Sequence, residues 1–323
     1  MKDFGIIIAC SNQDYALAKG CCASIRYFIG DVPICLIVDG TFSTEILEKT
    51  YGVKIINRNN VSSQVLSERS FGFGLTKMIA FWESPWKHFL YLDADTIIWF
   101  NVLKFANFKE FDVIIDKPRY ERPDEDICSF FFDTKGIEKY YPNFDWNKHR
   151  QHYFCTGTFF GSRDIFSLDE YVEILNLISH EPKLFFPGEQ GFLNFMLCRA
   201  ADEGRIRLGQ ESIQLLTPDF ELQSLSKRFP LSQGRPLYQH EDVVIHWCGP
   251  NKPTSNTTKI YSEPMNFSRR KFLYDAFNET GIKAKIKLNI EDIQLHLSRY
   301  KNKIIRRSKS LKEQLFRTPN VAN

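Results

Sequence analysis

Two carboxylates, Asp93 and Asp95, close the apolar run His88-Phe89-Leu90-Tyr91-Leu92. Residues i and i+2 share one face if the chain stays extended. Like charges at the end of a buried strand repel each other and are costly to desolvate. A divalent cation relieves both problems. Hard oxygen ligands suit Mg²⁺ or Mn²⁺, and such ions commonly complete their shell with substrate phosphates. Asp is also frequent in ordinary turns and helix caps where strands end. On the tripeptide alone both readings stand, and the surrounding elements must separate them.

Those elements alternate. Residues 5–10 (GIIIAC) form an unbroken apolar run that reads as a buried parallel strand. Ser11 to Asp14 is a polar turn, and residues 15–28 have an amphipathic helical pattern. A second strand over 33–39 ends on Asp39, followed by a short helix over 43–50 and a short strand over 53–56. This βαβ pattern implies a parallel, helix-covered sheet. A helix over 72–82 should precede the Asp-X-Asp strand, with further strands over 111–115, 153–160 and 243–247. Helices are expected over 165–178 and 191–198, and residues 117–126 (KPRYERPDED) read as a polar, mobile loop.

Composition bounds what the fold can do. The chain has 323 residues, 43% of them hydrophobic, enough for one large α/β domain. Its 29 Phe residues point to an aromatic core. A net charge near +3 is too small to argue for nucleic acid. From Gly281 onward eleven Lys/Arg face three Asp/Glu, so the remainder is acidic. Ile290, Ile293, Leu297, Tyr300, Ile304, Leu311 and Leu315 fall at helical spacing in that tail. We therefore expect a 1–280 catalytic domain and a 281–323 tail, a basic amphipathic helix that ends in disorder after Arg317. The helix can lie on an anionic membrane surface, pack on the domain or pair with another chain. The eight cysteines form no CxxC pair and read as reduced core residues. With no secretory-type leader and no stretch long enough to span a bilayer, the expected location is cytoplasmic, peripheral to the inner membrane face if the helix binds there.

Four blocks occur in the order of one known family. They are Ala9-Cys10-Ser11 with Tyr15; residues 77–95; Pro187-Gly188-Glu189-Gln190-Gly191-Phe192-Leu193-Asn194; and His246-Trp247-Cys248-Gly249-Pro250-Asn251-Lys252-Pro253. Over roughly residues 4–255 the chain resembles the family 8 retaining glycosyltransferases, glycogenin-like and bacterial lipopolysaccharide galactosyltransferase-like enzymes. The resemblance implies a GT-A nucleotide-diphospho-sugar transferase fold, a Rossmann-like mixed sheet flanked by helices. Ala9, Cys10 and Ser11 would meet the uracil and ribose beyond a strand end, and Tyr15 would stack on the base. The Asp93-Ala94-Asp95 turn would hold the cation against the two phosphates of a UDP-sugar. His246 would be the third metal ligand; imidazole favours Mn²⁺ over Mg²⁺. Gly249 permits close approach of backbone to phosphate, and Lys252 neutralises it. Lys77 would contact donor sugar or phosphate, although a solvated helix lysine is the ordinary alternative.

Glu189 stands where the family usually has Asp, and would hold a donor-sugar hydroxyl with Gln190 near the anomeric carbon. Cys155-Thr156-Gly157 replaces the usual Asn-small-Gly, so the donor sugar does not carry over. The expected activity is metal-dependent, retaining transfer of a hexose to an acceptor hydroxyl, through front-face attack without a side-chain nucleophile. The acceptor (a glycan, lipid-linked or protein hydroxyl) would be bound by residues 117–126 and 213–238. Three alternatives remain. A nucleotidyltransferase normally has a Gly-rich phosphate loop, and residues 10–20 lack one. An inverting GT-A enzyme needs a catalytic base. A catalytically silent UDP-sugar-binding or membrane-associated scaffold of the same fold needs no metal-dependent turnover.

Overall fold

The computed structural model describes residues 3–72, 74–232, 235–237, 241–255 and 259–315, with side chains beyond residue 297 described only at Tyr300. Tyr238 and the segment after Arg317 therefore lie outside the described residues. The first half runs β1 (Phe4–Ser11), α1 (Tyr15–Phe28), β2 (Ile34–Asp39), α2 (Glu45–Tyr51), β3 (Lys54–Asn57), α3 (Gln64–Arg69), a 3₁₀ turn (Leu75–Ile79), α4 (Ala80–Glu83), β4 (His88–Asp93), β5 (Thr96–Trp99) and β6 (Val113–Asp116). It continues with α5 (Asp124–Phe130), α6 (Thr134–Tyr140), β7 (Thr158–Ser162), α7 (Leu168–His180), α8 (Gln190–Asp202), β8 (Leu208–Glu211), β9 (Gln214–Leu216) and α9 (Leu222–Arg228). The two-residue strands β10 (Leu231–Ser232) and β11 (Arg235–Pro236), then β12 (Val243–His246), α10 (Glu263–Phe277) and α11 (Gly281–Leu315) complete it.

Seven strands form one mixed sheet in the order β3-β2-β1-β4-β7-β6-β8. The β3-β2-β1-β4 half is parallel, as the βαβ pattern predicts, and β7 runs antiparallel to both β4 and β6. The reversal makes the sheet mixed, as the family resemblance implies. In register, Ala9 pairs with Asp93 and Ser11 with Asp39, so the carboxyl ends of β1, β2 and β4 share one edge. Ligands in open α/β sheets bind outside that edge. A second sheet, β5-β12-β9, stands beside it.

The core is aromatic, as the Phe content predicts. Phe81 stacks on Phe159 at 5.6 Å between ring centroids, and Phe159 stacks on Tyr91 at 5.0 Å. All three are fully buried, and each ring contributes roughly 1.5–3 kcal/mol of transfer free energy. Trp86 covers the start of the sheet and leaves no room on β1 for more than glycine: a Cβ on Gly5 would lie 2.3 Å from the indole.

Several local expectations are corrected. Residues 72–82 are not one helix. Gly72 and Gly74 take φ of 103° and 86°, which L-residues rarely adopt, so only a 3₁₀ turn and the single turn of α4 form. Residues 124–126 of the expected loop open α5; three acids in its first turn favour a helix N-terminus. Residues 153–157 are not strand, and β7 begins only at Thr158. The long tail helix starts at Gly281, ahead of Ile290, the first apolar residue of the expected stripe. Helix α10 escapes the sequence because Asn266, Ser268 and Arg269 are buried among its apolar residues and break the stripe. Of the cysteines, Cys128 is exposed and Cys155 and Cys248 are half-buried; the other five are core residues.

Candidate active site

Asp93 ends β4 and Thr96 begins β5, so the Asp-X-Asp segment is a turn between two strands. The carboxylates converge through this turn and not through an extended strand, which corrects the i, i+2 expectation. Three hydrogen bonds anchor it. The Asp93 N–H donates to Gly157 O at 2.8 Å, Thr96 Oγ1 donates to Asp93 O at 2.8 Å, and the Trp247 N–H donates to Asp95 O at 3.1 Å.

Strand β12 pairs antiparallel with β5, placing His246 opposite Thr96. Asp93, Asp95 and His246 consequently offer ligand atoms that all lie within 4.8 Å of one another. His246 Nε2 is 3.5 Å from Asp95 Oδ1 and 3.9 Å from Asp93 Oδ2. The other ring nitrogen is 3.1 Å from Gln214 Oε1. Gln214 Nε2 donates to Cys155 O at 2.6 Å, which fixes the amide so that its oxygen faces the ring. In the neutral ring Nδ1 therefore carries the proton and Nε2 presents its lone pair to the carboxylates, an orientation typical of metal-binding histidines. The ring fills the space beside Gly157, where a Cβ would lie 2.2 Å from it. Two hard oxygens and one imidazole nitrogen fit Mn²⁺ or Mg²⁺.

Two lysines balance the acids. Lys252 touches the Asp95 carboxylate, and Lys77 reaches Asp93 at 3.2 Å and Glu189 at 2.6 Å. Burial works to raise the Asp95 carboxyl, but Lys252 and His246 override it and hold it well below the carboxylate range. Burial opposes charge on His246, whereas Cys155 and Asp95 raise it to about 10. Burial likewise opposes the Lys77 ammonium; Asp93 and Glu189 outweigh it and keep it charged. A cavity of about 510 Å³ opens above these groups, walled in part by Ala9, Cys10, Ser11, Ala94, Gly249 and Lys252.

The expected site residues divide accordingly. The first-strand residues, Lys77, the Asp-X-Asp turn, Gly249 and Lys252 line that cavity, with His246 buried beneath it. Lys77 is buried and ion-paired, not a solvated lysine. Glu189 is buried as well, accepting from Thr156 Oγ1 at 2.8 Å. Gln190 opens α8 and donates to Phe130 O at 3.0 Å. Tyr15 departs from expectation: its ring meets Phe42 at 5.1 Å and lines a separate cleft of about 290 Å³. Its position on the first residue of α1 turns it toward α2 and not toward the strand ends.

Three further residues belong to the site. Tyr91 donates its hydroxyl to Asp93 Oδ1 at 2.7 Å, and its place two residues before Asp93 on one strand face was a readable signal. Asp39, noted only as a strand end, lines the cavity. Gln214 lies in a short strand with no distinguishing pattern, and nothing in the sequence marks it.

No protein-family model matches the chain, and no curated protein matches it. Solved structures do. The galactosyltransferase LgtC, in complex with donor and acceptor sugar analogs, aligns over 86% of this chain and 97% of its own, at 14% identity and a TM-score of 0.51. The glycosyltransferase GlyE of Streptococcus pneumoniae TIGR4 aligns over 90% of this chain at 13% identity and a TM-score of 0.50; the match spans 63% of GlyE. The bifunctional glycosyltransferase WbbM aligns over 90% at 12% identity and 0.50, spanning 51% of WbbM. The likeness is one of fold: a mixed sheet flanked by helices, the GT-A architecture of glycosyltransferases.

Proposed function

We propose that this protein is a metal-dependent, retaining glycosyltransferase that moves a hexose from a UDP-sugar to an acceptor hydroxyl. The observation that carries the proposal is the convergence of Asp93, Asp95 and His246 under a 510 Å³ cavity at the strand ends of a GT-A fold. The solved LgtC complex, with donor and acceptor sugar analogs in the same fold, supports the substrate class. Asp93, Asp95 and His246 would hold the cation, with Mn²⁺ preferred. A bound divalent ion would offset the charge that develops on a departing diphosphate. Lys252 adds a second positive charge to the cavity wall, available to a phosphate oxygen once it leaves Asp95. Ala9, Cys10 and Ser11 wall the cavity at the end of β1, where the base and ribose would lie.

Retention needs either a covalent intermediate or attack on the leaving-group face. A covalent route requires a carboxylate free to approach the anomeric carbon. Glu189 is instead tied to Lys77 and Thr156, which favours front-face attack. The anomeric C–O bond to the diphosphate breaks as the acceptor oxygen bonds to the same face, and the acceptor proton passes to the departing phosphate oxygen. Gln190 and Glu189 would orient the donor sugar.

UDP release with Mn²⁺ from a panel of UDP-sugars tests this reading. Wild type should release UDP slowly from one sugar, and Asp95→Ala should lose it by roughly 100-fold or more, since even outer partners of a metal ligand cost 10–100-fold. No release, together with no Mn²⁺-dependent UDP binding, would overturn the proposal and leave the scaffold alternative.

The tail supports a finer proposal, peripheral contact with an anionic membrane. Ala284, Leu288 and Leu295 of α11 are buried against the body, whereas Ile282, Ile286, Ile290, Ile293, Leu297 and Tyr300 are exposed in one stripe. Lys283, Lys285 and Lys287 flank it. An apolar stripe edged with lysine is the pattern of an interfacial helix.

A further inference from the structure

Beside the metal ligands, on the far side of Cys155 and Gln214 from the cavity above, lies a second cleft of about 290 Å³. Gln214 lines the cleft and touches both His246 and the Cys155 carbonyl, so the cleft adjoins the metal ligands.

The walls of this cleft are unusually cationic. Lys117, Arg119, Arg122 and Arg228 line it, against two acids, Asp116 and Asp219. Arg228 is neutralised from outside by Glu241, through two contacts. The others are less well satisfied. The closest carboxylate oxygen to Arg119 is Asp219 at 3.9 Å, and to Arg122 is Asp126 at 3.7 Å, both beyond hydrogen-bond length. Lys117 has no carboxylate within ion-pair distance among the described residues. Asp116 is turned away into the protein: its Oδ1 accepts the backbone N–H groups of Ile213 and Gln214 at 2.9 Å each, and burial, opposed by those two bonds, pushes its carboxyl up to about 7.

The guanidinium groups are also held in place. Those of Arg119 and Arg228 sit 4.5 and 5.2 Å from the centroid of one ring, Phe220. Arg122 donates from Nε to Tyr153 O at 3.3 Å and from Nη1 to the Tyr120 hydroxyl at 3.0 Å. Planar donors fixed against aromatic faces, with spare N–H groups, are how proteins bind phosphate and carboxylate forks. Arginines of this kind on an open surface would be unremarkable solvated charges; here they surround a concavity next to the site.

We infer that this cleft binds an anionic group, a phosphate monoester or a carboxylate, on the sugar or polyol that accepts the hexose. The acceptor role rests on the transferase reading, whereas the anion site stands on the cleft's own geometry.

Calorimetric titration of the metal-free, full-length protein at low ionic strength tests it. The probes are glucose 6-phosphate, glucuronate and neutral methyl glucoside, with wild type and the exposed-residue double variant Lys117→Gln/Arg119→Gln. Wild type should bind at least one anionic probe and not methyl glucoside, and the double variant should bind it tenfold or more weakly. Glucose 6-phosphate alone would identify phosphate as the group, and glucuronate alone carboxylate. No anionic binding by wild type would overturn the inference, as would equal binding of methyl glucoside. Unchanged binding by a folded double variant would place the anion elsewhere and overturn it too. UDP binding with Mn²⁺, measured separately, distinguishes the two readings. If UDP fails to bind while the anions bind as expected, the acceptor role falls and the anion site stands.

Discussion

Asp116 ends β6 with its carboxyl buried, and burial raises it from 3.8 to about 7 even though two backbone N–H groups lower it. Its folded form therefore holds a proton that the unfolded chain has already lost between about pH 4 and 7. Stability falls with rising pH wherever the folded state binds more protons, at about 1.4 kcal/mol per pH unit for one proton. The contribution is full below about pH 4, is lost as pH rises toward 7, and is constant above. Urea unfolding at pH 5 and pH 8 should show wild type losing stability across this interval and Asp116→Asn losing less. Coincident pH slopes for the two proteins would sink the assignment. At this scale the sequence is legible where chemistry and pattern coincide: Asp93 and Asp95 stand out as paired acids after an apolar strand, whereas His246 is marked as a ligand only by the family resemblance of the block that also carries Lys252. Gln214 was not legible, because an amide in a polar stretch has no periodicity to betray its partner.

Helix α11 is fastened to the body by a buried ionic cluster. Arg269 of α10 donates to Asp292 Oδ1 at 2.6 Å and to Glu291 Oε2 at 2.9 Å, and Asp292 Oδ2 accepts the Ser255 N–H at 2.7 Å. Arg269 and Asp292 are both almost fully buried. Removing Asp292 leaves Arg269 with Glu291 alone and takes the acceptor from the Ser255 N–H; breaking such a buried pair costs at most roughly 3–5 kcal/mol. Asp292→Ala should lower the free energy of unfolding by up to that amount in denaturant titration. Arg269→Met/Asp292→Leu should recover much of it, because apolar replacement of a whole buried pair is often neutral. A double variant no better than the single one would mean that the cluster does more than balance charge. The periodicity of the tail predicts an amphipathic helix but not its fastening, since the partners Arg269 and Ser255 lie outside the tail.

Across the whole molecule, α11 buries one face and leaves an isoleucine stripe exposed on the other. Sedimentation with vesicles should show binding to anionic lipid and little to neutral lipid, weakened by added salt. Ile286→Ser/Ile290→Ser/Ile293→Ser should release the protein from the vesicles while its unfolding midpoint stays close to wild type, because these side chains are exposed. Equal binding by wild type and the triple variant would remove the stripe from the interface. Among the described residues no helix is long and apolar enough to cross a membrane, so any contact through α11 would be at the surface.

By itself the sequence determined strands β1 to β4, helices α1 and α2 and the acids at the sheet's edge. These are set by local periodicity and by residues adjacent in the chain, which a linear pattern records. Tertiary structure decided the rest. Antiparallel insertion of β7 next to β4 brings Gly157 under Asp93, and pairing of β12 with β5 brings His246 to Asp95 from a distant part of the chain. Which lysine stays buried, where Tyr15 turns and which arginines share a ring are decided by packing between distant segments. Such contacts depend on strand order and direction, which local periodicity does not encode.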